Sequence, residues 1–495
     1  MKEKVLIPTR GVIALDIINS LNSMGMETLL MHSPEDSLSL PVKLADRSFK
    51  FYSSRLEDSY LDMEAIIEKA REVHADYLHP GYGFLAENPQ FARLCKDNGI
   101  HFIGPENTVL ALVEDKIKLR ETASSLGLPV VKYSELIKSP MDFDSCRNDL
   151  NYPIIIKPLK GLGGHGIRVA DYRRDAQEQV ANLLKREDNI RNGIFFEEFM
   201  PYAHHIEIPF FRDVKGNILF LPEIESSIQR RFQKIFQESP SPNLYGRLRA
   251  CLYEFSQKLI KEINYVGLGY IEFIVDNDEC LFLEINPTFQ INTLIPEIHL
   301  TSNFLKKQVV ISRGELLHNV RGLEIIKPKH HVLLISLMAE DPYNSFMPST
   351  GQISDFFHYS TIRNVFKTTL YTGARVTPMY DPFIGKILAY AVERQNAIND
   401  MRIFLDNIII RGIRTNLIFL KHLLESASLR NRETIIDFLH LKFDFSKQNK
   451  SEEELLLAAA LLAADFHVDN RKKNYTAKLE KMKQPGFFKR LFGGL

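Results

Sequence analysis

Residues 270–286, YIEFIVDNDECLFLEIN, hold two apolar runs on either side of a short polar segment. Runs rich in Ile, Val and Phe around a segment of Asp, Asn and Glu predict two antiparallel strands joined by a tight turn. With the turn centred on Asp278, Glu272 and Glu284 become cross-strand neighbours, with Cβ atoms about 4.5–5.5 Å apart. Two carboxylates at that distance repel each other unless a cation or a proton lies between them.

Asn286 follows Glu284 by two residues and so shares its face of the predicted hairpin. Carboxylate and amide oxygens suit Mg²⁺, which retains several waters and binds nucleotide phosphates. Mn²⁺ accepts similar oxygen ligands. Glu272, Glu284 and Asn286 are therefore candidate metal ligands, and the alternative is an acidic sheet face that points to solvent.

Three lysines lie at the ends of predicted elements in the same half of the chain. They are Lys116, Lys157 and Lys234. Cations together with Mg²⁺ are what a transferring phosphoryl group needs. Taken singly, each lysine is more simply explained as a solvated surface residue.

A glycine-rich segment, PLKGLGGHG at 158–166, lies between two strand-like runs. It is not a Walker loop, because no helix follows it and no GK[ST] is present. A glycine loop between two strands can fold over a triphosphate and donate its N–H groups. An ordinary hairpin is an equal alternative for this segment.

The first hundred residues alternate between strand-like and helix-like runs. Strand patterns at 5–7, 28–31 and 77–78 are separated by helical patterns at 13–21 and 62–74. This alternation predicts a doubly wound parallel sheet. The first strand–helix turn lacks GxGxxG, so a dinucleotide is not expected there.

Composition narrows the class of protein. The 495 residues are 45% hydrophobic and 25% charged, an ordinary globular balance, and the length suggests roughly three domains. Lys+Arg and Asp+Glu both number 62, so a nucleic-acid partner is disfavoured. The four cysteines are far apart without a CxxC motif, which predicts a cytoplasmic protein. No apolar run approaches the ~20 residues of a transmembrane segment.

The ordered motifs of the chain resemble those of the biotin carboxylase family of ATP-grasp ligases over about residues 1–445. The motifs that carry the resemblance are Arg10-Gly11, His79-Pro80-Gly81-Tyr82-Gly83-Phe84, Asp115-Lys116, the Lys157 strand with its glycine loop, His205-Ile206-Glu207, Gln229-Arg230-Arg231, the Glu272/Glu284/Asn286 set, Ala339-Glu340-Asp341-Pro342, and Ile384-Gly385-Lys386.

The resemblance implies an α/β protein with three family domains. An N-terminal doubly wound parallel sheet, the pre-ATP-grasp domain, would occupy 1–113, and a central ATP-grasp domain 114–315. An α+β C-terminal biotin carboxylase domain would occupy 327–445. Residues 446–495 would form a charged, helical tail.

The resemblance also assigns roles to individual residues. Lys116 and Lys157 would contact nucleotide phosphates, while Lys234 would face the γ-phosphate and bicarbonate. Glu272, Glu284 and Asn286 would hold Mg²⁺. The remaining family positions are the lid glycines Gly163 and Gly164, the adenine hinge from Glu197 to Met200, the nucleotide-side residues His205, Gln229 and Gln233, and the catalytic-side Gln290.

Members of the family use ATP and bicarbonate to carboxylate biotin held on a carrier protein. This is the first half-reaction of acetyl-CoA carboxylase, which serves fatty acid biosynthesis. The resemblance therefore implies a biotin carboxyl carrier protein and carboxyltransferase subunits as partners, and a homodimer. It gives no sign of a biotinylated lysine in this chain, so biotin would be a substrate carried by another protein.

The chain departs from the family on the bicarbonate and biotin side. Thr288 and Ser336 stand where the family has anion-binding arginines, and Asn292 stands where it has a glutamate base. An amide accepts no proton at neutral pH, and hydroxyls offer no bidentate fork. The sequence therefore leaves three hypotheses open: a biotin carboxylase of doubtful activity, a catalytically silent ATP-binding partner or regulatory subunit, and a ligase for another acceptor that uses Gln290, Glu297 or His299.

Overall fold

The computed structural model describes residues 2–145, 150–159, 166–359 and 361–445, with the side chains of 144 and 145 left out. The predicted lid glycines Gly163 and Gly164 and the predicted tail at 446–495 lie outside the described residues. Within the described ranges, no helix combines the length and hydrophobicity needed to cross a bilayer.

The N-terminal part is a five-stranded parallel sheet of order β3-β2-β1-β4-β5, as the alternation predicts. Its strands are β1 Lys4–Ile7, β2 Glu27–His32, β3 Arg47–Lys50, β4 Tyr77–Leu78 and β5 His101–Phe102. Its helices are α1 Gly11–Ser23, α2 Leu40–Leu44, α3 Met63–Glu72 and α4 Pro89–Asp97, with a 3₁₀ turn at Pro34–Asp36.

A small antiparallel sheet of order β7-β6-β8 follows two connecting helices. Its elements are α5 Asn107–Glu114, α6 Lys116–Ser125, α7 Pro140–Ser145, β6 Ile154–Pro158, β7 Arg168–Ala170, α8 Arg173–Leu183, α9 Glu187–Asn192 and β8 Ile194–Glu198. Helix α6 begins at Lys116 because the Asp115 carboxylate caps it, accepting the N–H of Lys118 at 3.1 Å.

The main sheet has ten strands. Eight of them follow one another in the order β14-β13-β9-β11-β12-β16-β23-β21, and the other two, β10 and β15, extend from β9. Its first half comprises β9 His204–Arg212, β10 Ile218–Phe220, β11 Ile224–Arg230, β12 Gln233–Ser239, α10 Gly246–Glu262, β13 Gly267–Asp276, β14 Glu279–Asn286, a 3₁₀ turn at Ile291–Thr293, α11 Leu294–Leu300, α12 Phe304–Ser312 and β15 Leu323–Ile325.

The last described part completes this sheet and adds short hairpins and helices. It comprises β16 His331–Met338, β17 Glu340–Asp341, β18 Met347–Pro348, β19 Gly351–Gln352, β20 Asp355–Phe357, β21 Asn364–Thr368, β22 Arg375–Val376, β23 Phe383–Ala391, α13 Arg394–Asp406, β24 Ile409–Arg411, α14 Leu417–Glu425, α15 Ala427–Arg430 and α16 Phe438–Leu441.

One apolar core joins elements from all three parts of the described chain. It includes Ile17 of α1, Phe211 of β9, Tyr270 of β13 and Leu388 of β23, all 0% exposed. Phe289, from the irregular segment after β14, packs into the same core. The core therefore fixes the parallel sheet, the hairpin and the C-terminal strands around the segment that carries Thr288 and Asn292.

Candidate functional site

A β-bulge sets the register of the hairpin β13–β14. Next to the turn Asp276 pairs with Glu279 and Phe273 pairs with Phe282, but the register then shifts and Glu272 pairs with Glu284. Without the shift, Glu272 would lie opposite Leu283. The bulge therefore produces the carboxylate pair that the sequence predicts.

A third carboxylate extends the pair into a row. On the other side of β13, Glu272 lies opposite Glu207 of β9, so three neighbouring strands carry glutamates at one level. Neighbouring strands lie about 4.8 Å apart, so three unbalanced charges would repel strongly. From the sequence Glu207 has no predicted role of its own, although it stands two residues after His205 and so lies on the same face of the strand.

Two lysines offset part of the negative charge of this glutamate row. Lys234 Nζ lies 2.6 Å from Glu272 Oε1 and 2.9 Å from Glu207 Oε1, and Lys116 Nζ lies 2.8 Å from Glu284 Oε2. Burial opposes charge on Lys234, but the two carboxylates outweigh it and raise its pKa above the ordinary value. The pKa of Glu272 is lowered despite burial, because Lys234 and His205 favour its charged form. Glu272 is therefore held in its charged form near neutral pH.

Hydrogen bonds fix the tautomer of His205. Its Nε2 lies 2.6 Å from Glu272 Oε2, and Gln229 Nε2 lies 2.7 Å from its Nδ1. Because the Gln229 amide nitrogen can only donate, Nδ1 accepts and Nε2 carries the proton that goes to Glu272. Gln229 therefore orients the His205 ring. Gln233 is half-buried and pairs with Arg230 at the end of the β11–β12 pair.

The donor set fits a hard divalent cation of the Mg²⁺ type. Glu272, Glu284 and Asn286 lie together, and Asn286 Nδ2 donates to Glu272 Oε1 at 2.6 Å. In the part of the chain that the structure describes, no three His, Cys, Asp or Glu side chains form a group that could hold a metal by themselves. A metal would therefore depend on two carboxylates, the amide oxygen, and phosphate or water oxygens, which is how Mg²⁺ is usually held.

Lys157 lies beside a buried ionic group that the sequence did not reveal. Its Nζ is 2.6 Å from Glu197 Oε2, and Arg120 is 2.6 Å from Glu197 Oε1. Burial disfavours the Glu197 carboxylate, yet Arg120 and Lys157 lower its pKa to about 2. The Glu197 side chain is therefore occupied by Arg120 and Lys157. The predicted contact with adenine would be made by the backbone of this residue.

Beyond Glu197, the chain reaches an apolar patch. Met200 packs against a cluster of Val131, Ala203, Ile274, Leu281 and Leu283. Flat bases bind well to apolar surfaces of this kind. The assignment of adenine to this patch remains a prediction.

The three positions that depart from the family are buried and bonded inward. Thr288 Oγ1 donates to Glu87 Oε1 at 3.3 Å, and Asn292 Nδ2 donates to Glu207 Oε2 at 3.1 Å. Ser336 Oγ donates to the carbonyl oxygen of Lys234 at 3.0 Å. All three side chains therefore contact residues of the site, and none supplies a positive charge or a base.

Glu87 is a titratable group that the sequence analysis did not single out. Burial first, and then the charge of Glu284, raise its pKa to about 7, while Lys116 acts in the opposite direction. Thr288, which donates a hydrogen bond to Glu87, is uncharged and therefore adds no positive charge that would favour the ionised form of Glu87.

The other residues considered for a different acceptor have structural contacts. Gln290 is buried at the start of the 3₁₀ turn, where its carbonyl accepts the N–H of Thr293. Glu297 accepts the N–H of Phe304 at 2.9 Å, and His299 Nε2 lies 3.0 Å from Ser239 Oγ. These contacts explain Glu297 and His299 without a catalytic role.

Comparison with protein-family models matches nearly the whole described chain. Residues 1–110 match the biotin carboxylase N-terminal domain, 115–320 the carbamoyl-phosphate synthase L chain ATP-binding domain, and 335–440 the biotin carboxylase C-terminal domain.

The curated relatives include a biotin carboxylase and a subunit of a larger carboxylase. The chain is 33% identical over 447 residues to biotin carboxylase 1 of Bacillus subtilis, covering 89% of this chain and 98% of that protein. It is 34% identical over 444 residues to the mitochondrial methylcrotonoyl-CoA carboxylase subunit alpha of Rattus norvegicus. That match covers 88% of this chain and 61% of the rat subunit, so the chain spans under two thirds of the larger relative.

Solved structures agree with the described architecture. The biotin carboxylase domain dimer of Hydrogenobacter thermophilus 2-oxoglutarate carboxylase, solved with MgADP, ADP and bicarbonate, superposes with a TM-score of 0.84 at 30% identity. The alignment covers 90% of this chain and 99% of that one. Campylobacter jejuni biotin carboxylase in its β-γ-ATP complex gives a TM-score of 0.82 at 30% identity, over 89% of this chain and 98% of that one.

Proposed function

The chain belongs to the biotin carboxylase family, and we propose that it binds MgATP at the glutamate row. The observation that carries this proposal is the alignment of Glu207, Glu272 and Glu284 on three adjacent strands, with Lys234 and Lys116 as their cationic partners. Such an arrangement is costly unless charged ligands use it, because buried charges need partners. The H. thermophilus relative solved with MgADP supports the same ligand.

Different residues of this chain would bind the metal ion and the phosphate groups of the nucleotide. Glu272, Glu284 and Asn286 would hold the metal, and Lys116 and Lys157 would bind phosphate oxygens in place of their present carboxylate partners. Bound Mg²⁺ would neutralise the charge of the phosphate oxygens that it bridges. Lys234, held at the centre of the row, would face the transferable phosphate.

The family reaction, carboxylation of carrier-bound biotin with bicarbonate, would proceed slowly in this chain. Asn292 cannot accept the proton of bicarbonate, and the loss of such a base typically costs about 10²–10⁴ in rate. Thr288 and Ser336 provide no guanidinium to stabilise a developing anion, which adds to the loss.

A second candidate is a nucleotide-binding subunit that does not catalyse. The inward hydrogen bonds of Thr288, Asn292 and Ser336 favour it, because these three positions supply neither a cation nor a base, while Lys116, Lys157 and Lys234 are in place on the phosphate side. Such a chain would bind MgATP beside a competent carboxylase. In either case we propose a carrier protein, carboxyltransferase subunits and a second copy of the chain as partners, and the cytoplasmic location stays a prediction.

Nucleotide binding is tested by isothermal titration calorimetry with ATP, with and without Mg²⁺. We expect binding that requires Mg²⁺ and that Lys116→Gln weakens at least about tenfold, as the loss of a charge-assisted contact should. Lys118→Gln is the matched control, since Lys118 is exposed on the same helix. Equal affinities of the two variants, or no binding by the wild type, would refute the assignment.

Bicarbonate-dependent ATP hydrolysis, measured with and without free biotin, then separates the two candidates. Slow turnover that biotin stimulates would support a weak carboxylase. MgATP binding with no bicarbonate-dependent turnover would support the silent subunit.

A further inference from the structure

We propose that Lys386 is a positioning residue, which holds the segment 287–293 in place from outside the nucleotide site. This inference rests on the proposed function, since that segment carries Thr288, Gln290 and Asn292 of the acceptor side. Lys386 lies on β23, where its strand register places it opposite Ser336 of β16. It therefore reaches the acceptor side from the C-terminal part of the chain.

The ammonium group of Lys386 is completely buried and has three partners. Its Nζ donates to the carbonyl oxygen of Ile291 at 3.0 Å and to Thr293 Oγ1 at 3.4 Å. It also forms an ion pair with Asp16 Oδ2 at 2.8 Å. Two of the three N–H donors of the ammonium are therefore used in hydrogen bonds, and the ion pair with Asp16 balances its charge. Two of the three contacts go to the segment itself.

Asp16 supplies the negative charge that lies against the buried ammonium of Lys386. It lies on α1 of the parallel-sheet part and is 7% exposed. Lys367 of β21 also approaches Asp16, with Nζ 3.6 Å from Oδ1, but its side chain is 35% exposed. The ion pair therefore connects α1, β23 and the segment at one point.

The segment needs this anchor because its own structure is sparse. Apart from the 3₁₀ turn at Ile291–Thr293 it has no regular element. A cavity of about 100 Å³ lies beside it, lined by Asp16, Phe289, Thr293 and Lys367 among others. Packing on that side is thus incomplete, and the polar contacts of Lys386 fix the backbone of residue 291 next to Asn292.

The test is hydrogen–deuterium exchange, read by mass spectrometry on peptides covering 287–293, with peptides of β13 and β14 as internal references. We expect Lys386→Met to speed exchange of the segment about tenfold or more, as local opening does, while the reference strands stay protected. Lys386→Arg retains a charge and donors for Asp16 and Ile291, and should restore most of the protection. Lys367→Met is the matched control and should leave the segment unchanged.

Three results are informative. Faster exchange only in the segment, with rescue by Lys386→Arg and unchanged MgATP affinity, supports a positioning role. Unchanged exchange in Lys386→Met, or equal acceleration in the reference strands, overturns it. Failure of the wild type to bind MgATP would refute the proposed function instead, and the exchange result would still decide whether Lys386 holds the segment.

Discussion

Replacement of Asn292 by glutamate should not by itself restore a general base. Asn292 Nδ2 lies 3.1 Å from Glu207 Oε2, so Asn292→Glu would place a second carboxylate against the first. At an effective dielectric constant near 20, two unit charges at this distance repel by about 5 kcal/mol. Such repulsion would raise the pKa of the new carboxyl group well above its ordinary value. The new carboxyl group would therefore hold its proton at pH 7 and accept none.

The triple variant Thr288→Arg, Asn292→Glu, Ser336→Arg should behave differently. Two guanidiniums would favour the charged form of the new glutamate and lower its pKa towards the ordinary range. They would also supply the forks that bind a planar oxyanion. We expect bicarbonate-dependent ATP hydrolysis to rise by about 10² or more over the wild type, the usual contribution of a base.

The assay is bicarbonate-dependent ATP hydrolysis with free biotin, followed from pH 6 to pH 9. Asn292→Glu alone should remain near the wild type at pH 7 and gain activity only at alkaline pH. Asn292→Gln is the matched control and should show neither effect. If Asn292→Glu at pH 7 equalled the triple variant, the repulsion inferred from Glu207 would be wrong.

Three further predictions concern stability. Glu197→Gln should destabilise the protein by about 3 kcal/mol at pH 7, since the folded pKa near 2 lies below the ordinary 4.5. The difference in urea unfolding from the wild type should shrink as the pH falls from 4.5 towards 2, and a pH-independent difference would contradict the linkage. Gly269→Ala would place a Cβ 2.6 Å from the Phe210 ring and should cost about 1–3 kcal/mol, so wild-type urea stability would disprove the clash. Arg394→Met should cost about 3–5 kcal/mol by leaving buried Glu238 without its 2.6 Å partner, and a calorimetric change in MgATP affinity would contradict its purely structural role.

Local patterns of the sequence predicted the parallel sheet and the hairpin β13–β14, whereas the remaining architecture was predicted from the family resemblance. The alternation of strand-like and helix-like runs predicted the parallel sheet, which the structure confirms. The pairing of Glu272 with Glu284 was also predicted, but for an incomplete reason. A turn centred on Asp278 was assumed, whereas the observed pairing depends on the bulge between Glu272 and Phe273.

The parts of the site that were missed depend on contacts between distant segments. Glu207 joins the glutamate row only through the pairing of β9 with β13, and Arg120 reaches Glu197 across 77 residues of sequence. The pKa of Glu87 depends on burial and on Glu284, which no local pattern shows. The inward hydrogen bonds of Thr288 and Asn292 likewise required the folded arrangement.

The continuous pairing from β12 to β16 limits how this chain can be divided. Phe236 to Ser239 of β12 pair with Val332 to Ile335 of β16, so the predicted ATP-grasp and C-terminal regions share one sheet. A recombinant fragment that stopped near residue 315 would leave the largely buried strand β12 as an open edge. Unprotected edges of this kind recruit strands from other molecules and lead to aggregation. Expression work on the nucleotide-binding region therefore needs the C-terminal strands retained in the same polypeptide.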